Sequence, residues 1–205
     1  MYMPPFEKLD MENKDDLLKE ISVTKRKMAR LKREMEHPFY KEKEKKCPTD
    51  LTIFKCDRDF LERLILRYIS MGGDYKQGAL EKRDCEFNKK ISQITKVTLK
   101  KGGFFSPREK TVVDLSCDKP RYFSGLIYEL VEREVDYTKQ EFLSQLESLH
   151  IGEWRKNYYP NRFGVSVLDG EEWELTIEYS DGKKSKYGGQ NAYPYNYEEL
   201  IDLLN

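Results

Sequence analysis

Between Glu172 and Tyr179 the chain alternates without a break, with Trp173, Leu175, Ile177 and Tyr179 on one side and Glu172, Glu174, Thr176 and Glu178 on the other. Side chains of a strand point to opposite faces with a period of two, so this pattern predicts a strand buried on one face only. Ser180-Asp181-Gly182-Lys183 follows, and Asp-Gly accepts the positive φ of a tight hairpin turn. The spacing predicts a return strand over Lys184 to Tyr187, ended by Gly188-Gly189. A second Asp-Gly, Asp169-Gly170, follows Val167-Leu168 and predicts one more strand, which makes a three-stranded meander. Beyond Pro194, Asn196 and Glu199 form a capping-box pattern, and Leu200, Ile201, Leu203 and Leu204 supply the apolar stripe of a helix buried against the sheet.

The front of the chain is organised differently. Residues 1 to 12 carry no periodicity and are expected to fray. Asn13 can cap a helix that runs to His37-Pro38, along which Leu17, Ile21, Thr24, Met28, Leu31 and Met35 make a heptad seam. The seam leaves three uses open: a homodimer through this helix, docking on the rest of the protein, or folding on a partner. A charged linker with Pro38 and Pro48 places the domain boundary there, giving a helical arm and linker over 1–47 and a domain over 48–205. A second helix is expected with Asp57 as its cap and Phe60, Leu61, Leu64, Ile65, Tyr68 and Ile69 in the core, closed by Gly72-Gly73. Residues 79 to 90 suggest a short charged helix, Ile91 to Leu99 and Thr111 to Ser116 two strands, and Tyr122 to Glu134 a helix. Thr138 and Glu141 form another capping box. The fold class expected is α+β: a small antiparallel sheet packed with helices, preceded by a charged helical arm.

Charge constrains the function further. Lys plus Arg and Asp plus Glu both total 37, yet residues 1 to 103 hold 25 basic against 18 acidic residues and the remainder 12 against 19. A basic block, Lys25, Arg26, Lys27, Arg30, Lys32 and Arg33, lies on the first helix, with Lys41, Lys43, Lys45 and Lys46 after it. Such a block can neutralise phosphates, and it can equally be a solvated helix surface. The densest acidic run, Glu129, Glu132, Glu134 and Asp136, can imitate a nucleic-acid backbone and contact a partner protein. Asp169, Glu171, Glu172 and Glu174 crowd one hairpin as a two-metal nuclease site requires, but an alternating strand wets the same residues.

Other chemistries lack their residues. His37 and His150 are the two histidines, neither in a nucleophile motif, and His150 reads as a helix-end residue. No phosphate-binding glycine loop, GxSxG or HExxH occurs. Cys47, Cys56, Cys85 and Cys117 have no metal-ligand spacing, so free thiols, no metal and no cofactor are expected. No apolar run spans a membrane and the first residues lack a signal-peptide layout, which predicts a cytoplasmic protein without a membrane partner.

VLDGEEWEL, EYSDGKK and GGQNAYPYN, preceded by IGEW and KVTLKKGGFFS, resemble a poorly characterised α+β family of Firmicutes accessory genomes. The resemblance covers roughly residues 91 to 205, names no reaction and carries over no catalytic residue. Small α+β proteins of mobile elements with a charged helical arm include anti-CRISPR inhibitors, and this chain is similar to them in style. The resemblance implies a non-enzymatic inhibitor that binds a Cas9-type effector or its guide RNA by occlusion. The alternatives are a nucleic-acid-binding accessory factor using the basic helix and a metal-dependent nuclease.

Overall fold

Asn13 accepts a hydrogen bond from the Asp15 N–H at 2.8 Å and opens α1, Lys14–Met35. The structure is a computed structural model that describes residues 2–40, 47–103, 106–167 and 169–205. All six seam residues of α1, from Leu17 to Met35, are buried. They pack on α2, Asp50–Ser70, through Phe54, Phe60, Leu61 and Leu64. The seam is therefore filled within the chain. Thr49 caps α2, its side chain accepting from the Thr52 N–H at 3.2 Å. Asp57, expected as that cap, lies in the helix interior and is buried. The first residues are held as well: a short 3-10 helix spans Phe6–Asp10, and Phe6 meets the Phe60 ring edge-on at 5.8 Å.

These elements form one compact unit, Met1–Gln77, and the rest of the chain forms a second, Gly78–Asn205. Because α2 spends its apolar face on α1, the division falls after α2 and not before it, as a boundary at 47/48 would have it. The linker residues 41–46, with their four lysines, lie outside the described residues.

The second unit is α+β. It opens with α3, Ala79–Asn88, followed by β1 (Ile94–Gly103), β2 (Glu109–Asp114), β3 (Arg121–Leu126) and β4 (Glu129–Arg133). Then come α4 (Lys139–Ser148), β5 (Asn157–Tyr158), β6 (Glu171–Tyr179), β7 (Lys184–Gln190) and α5 (Tyr197–Leu204). Among the described residues the seven strands form one sheet in the order β4-β3-β2-β1-β6-β7-β5, antiparallel except where β5 meets β7. Trp173, Leu175, Ile177 and Tyr179 are buried with Val97, Leu99, Val113 and Leu115 in a core roofed by Phe142 and Leu146 of α4 and Leu200 and Leu203 of α5. Alternation puts Lys96, Thr98 and Lys100 of β1, Glu174, Thr176 and Glu178 of β6, and Lys184 and Lys186 of β7 on the opposite face.

Three expectations about the strands need correcting. Tyr122 to Glu134 is the hairpin β3–β4, not a helix; its apolar residues suit either period, and the two-residue turn Ile127-Tyr128 carries no Asn-Gly-like signal. The meander has two consecutive strands, because β6 begins at Glu171 and takes β1, not a Val167 strand, as its other neighbour; Leu168 is outside the described residues. The Gly188-Gly189 pair lies inside β7. A Cβ on Gly189 would sit 2.6 Å from the Tyr158 carbonyl oxygen and 2.8 Å from Trp173 Nε1, so glycine is what lets β5 and the indole close on β7.

Candidate functional site

Asn196 was expected to cap α5 but makes no capping hydrogen bond. Its buried amide instead accepts from Trp154 Nε1 at 3.0 Å and donates to the Leu149 carbonyl at 2.8 Å, tying the end of α4 to the start of α5. The Thr138–Glu141 box does form, with the Thr138 hydroxyl accepting from the Glu141 N–H at 3.2 Å. Both helices are thereby fixed on the core face of the sheet.

The basic block of α1 is not one surface. Lys27 Nζ lies 2.8 Å from Asp57 Oδ2 and donates to Oδ1 at 2.9 Å, and it also donates to the Tyr2 hydroxyl. Burial acts to lower its pKa, but the hydrogen bonds with Asp57 and Tyr2 outweigh it and hold the ammonium above the ordinary lysine range. Lys25 donates to the Tyr75 hydroxyl, Arg26 to the Ser22 carbonyl at 3.3 Å, and Arg30 pairs with Glu34 at 3.7 Å. Lys32 is partly covered and Arg33 exposed. Lys25 and Lys27 thus hold unit one together, while Arg26, Arg30 and Arg33 remain at solvent.

The acidic run is placed on an edge. Glu129 and Glu132 stand on β4 and Glu134 and Asp136 just after it, all exposed. Arg121 Nε donates to Glu132 Oε1 at 2.9 Å across β3–β4, and this hydrogen bond holds the Glu132 carboxyl below its usual range. The outer side of β4 pairs with no strand among the described residues. Large apolar groups sit among the acids: Tyr128 is 95% exposed and Val131 66%, with Leu126 and Tyr137 also at the surface.

The hairpin carboxylates do not converge. Glu174 lies 3.9 Å from Lys100 and 3.8 Å from Lys186, and Glu178 3.0 Å from Lys184, so cross-strand lysines share their charge. Glu171 accepts from the Tyr193 hydroxyl at 3.4 Å, and the Asn191 amide clamps the Asp169-Gly170 bend by donating to the Asp169 carbonyl at 3.1 Å. Neither Asp169 nor Glu172 joins a metal-binding group among the described residues. The group that does form there is Asp84, His150 and Glu153, whose ligand atoms lie within 4.8 Å of one another. His150, left-handed at φ 49°, directs Nδ1 to Asp84 Oδ2 at 2.7 Å just past the end of α4.

Two features had no signal in the sequence. One is this pairing of His150 with Asp84. The other is a groove of about 570 Å³ lined by Lys100, Lys101, Arg108, Lys156 and Lys186 from four parts of the chain, with Lys100 and Lys186 on the open face of the sheet and the Lys156 ammonium over the buried Tyr187 ring. All four cysteines are free, Cys47 and Cys117 exposed and Cys56 and Cys85 partly covered. Among the described residues no helix is long and apolar enough to cross a membrane. No protein-family model, curated protein or solved structure matches this chain.

Proposed function

We propose that the protein is a non-enzymatic binding protein whose β3–β4 hairpin docks on a basic protein surface and occludes it. One observation carries this reading: Tyr128 in the β3–β4 turn is 95% exposed and Val131 on the edge strand β4 is 66% exposed, and the side chains around them are acidic. Charges on an edge strand are an ordinary guard against strand-to-strand aggregation. Guarding does not account for a tyrosine and a valine exposed among them, since apolar tips inside a polar rim are what a binding surface presents. The free edge of β4 offers main-chain hydrogen bonds to an incoming strand, and the acids steer a cationic partner. A partner that handles nucleic acid has such a cationic surface, and a Cas9-type nuclease, suggested by the resemblance above, is the first to test.

The experiment measures binding of the full chain to a purified Cas9-type nuclease, with and without guide RNA, by biolayer interferometry. The triple variant Glu129→Lys/Glu134→Lys/Asp136→Lys leaves the Arg121–Glu132 pair in place and should slow association and weaken binding. Tyr128→Ala should weaken it by roughly thirtyfold, the loss expected of an aromatic anchor of about 2 kcal/mol. Absence of binding to either form of the nuclease removes this partner. Binding that the triple variant and Tyr128→Ala both leave unchanged removes the hairpin as the contact.

A further inference from the structure

The lysine-lined groove raises a question that the β3–β4 hairpin does not answer. Its wall takes Lys100 and Lys101 from β1, Arg108 from the bend before β2, Lys156 from the segment before β5, and Lys186 from β7. The carboxylates lining it are Glu172 and Glu174. Five basic residues and two acidic ones therefore line it, in a chain whose overall charge is zero.

Their commitments differ. Lys100 and Lys186 share Glu174 at 3.9 and 3.8 Å, and Lys101 pairs with Glu109 at 3.1 Å. Among the described residues no carboxylate pairs with Arg108 or Lys156. The Lys156 ammonium hangs 3.9 Å above the centre of the Tyr187 ring. Partial desolvation there, with the nearby Arg83 charge, keeps its pKa below the ordinary lysine value. An anion arriving beside it would relieve that cost.

The groove also has length and an aromatic end. A second hollow of about 310 Å³, on the open face, shares Lys100, Glu174 and Lys186 with the first, so the two form one track across β1, β6 and β7. At the rim of the larger hollow Tyr159 is 48% exposed, free to take a flat ring on its face. Cations along a track meet successive phosphates, and an exposed aromatic ring meets an unpaired base. A duplex has no unpaired base for Tyr159, and a lone small anion needs neither the ring nor the length.

We infer that this track is a binding site for single-stranded nucleic acid, with Arg108 and Lys156 as its main phosphate contacts and Tyr159 as a stacking platform. The site does not use the basic block of α1, and it adjoins the β3–β4 turn through Ile127, which lines the groove. With about three phosphates neutralised, the logarithm of affinity falls against the logarithm of salt with a slope of about −2.

The test is fluorescence anisotropy of the full chain with labelled oligouridine and oligodeoxythymidine of about ten nucleotides. Between about 50 and 200 mM salt the affinity should drop roughly 20-fold. Arg108→Ala/Lys156→Ala, both exposed, should flatten the slope to about −0.7, and Tyr159→Ala should weaken binding about fivefold or more without altering the slope. Arg26→Gln/Arg33→Gln on α1 should change nothing. An unchanged slope in Arg108→Ala/Lys156→Ala overturns the site, as does an equal loss in the α1 variant. Inorganic triphosphate competing as well per phosphate as the oligonucleotide, or a duplex binding as tightly, overturns the single-strand reading.

Discussion

Replacing Lys27 by Met tests whether the basic block is structural. Asp57 is 2% exposed, and its Oδ2 receives no hydrogen bond, so it depends on the ammonium 2.8 Å away. At that distance, with an effective dielectric constant of about 20, the gross attraction is roughly 6 kcal/mol. Lys27 itself is 36% exposed, which discounts that figure for solvent screening. A ceiling comes from chemistry: a carboxylate stripped of its cation can take up a proton, which for an ordinary aspartate costs about 4 kcal/mol at pH 7 and about 1.5 at pH 5. The Tyr2 hydroxyl still donates to Oδ1 at 2.6 Å and softens the loss. We therefore expect Lys27→Met to destabilise the helical unit by about 2–3 kcal/mol at pH 7. Urea unfolding followed by far-ultraviolet circular dichroism at pH 7 measures the loss, and Lys27→Met/Asp57→Asn should recover most of the stability. A loss under about 1 kcal/mol would refute the reasoning, since it would mean that water already solvates Asp57.

Three further outcomes follow from the second unit. Asn196→Ala leaves the Trp154 indole N–H and the Leu149 carbonyl without partners, at a cost of about 2–4 kcal/mol measurable from tryptophan fluorescence during denaturation. Gly189→Ala drives a Cβ to 2.6 Å from the Tyr158 carbonyl oxygen and should cost about 3 kcal/mol, with a shifted Trp173 emission. Burial pushes Tyr122, Tyr187, Tyr193 and Tyr197 well above the usual phenol range. Stability held by these neutral rings is complete below about pH 10 and lost as pH rises further, so phenolate absorbance and unfolding should appear together in an alkaline titration.

What the sequence made legible is what local spacing decides. The alternation of Glu172 to Tyr179 survives because one face meets the core and the other meets water, and the α1 seam survives because its six positions fall on one stripe whatever fills them. Long-range choices were hidden. Asn196 has the side chain of a cap, but its partners are Trp154 and Leu149, more than forty residues away. Asp57 resembles a cap in sequence and becomes a buried anion only because Lys27 and Tyr2 reach it from other segments. Phe123, Leu126, Ile127, Leu130 and Val131 fit a helical stripe, and nothing local says that β2 waits beside them. The groove was invisible for the same reason, since Lys100, Arg108, Lys156 and Lys186 read singly as solvated lysines and arginines.

A charge counts functionally only where the fold leaves it without a counter-charge, and by that criterion α1 loses much of its block while the sheet keeps two surfaces of opposite sign. The two surfaces adjoin at the hairpin tip, where the Ile127 N–H donates to the Arg108 carbonyl at 3.0 Å and Ile127 lines the groove. No uniformly charged partner satisfies both. A basic protein carrying a single strand of nucleic acid does, its protein meeting Tyr128 and the acids while its strand runs past Arg108 and Lys156. If the two contacts belong to one complex, losses from Glu129→Lys/Glu134→Lys/Asp136→Lys and from Arg108→Ala/Lys156→Ala should multiply when combined against a guide-loaded nuclease. Against the nuclease without its guide, Arg108→Ala/Lys156→Ala should have no effect. An equal loss on the loaded and unloaded forms would put the groove against the nuclease and not its guide, and no loss on either form would assign the two surfaces to different partners.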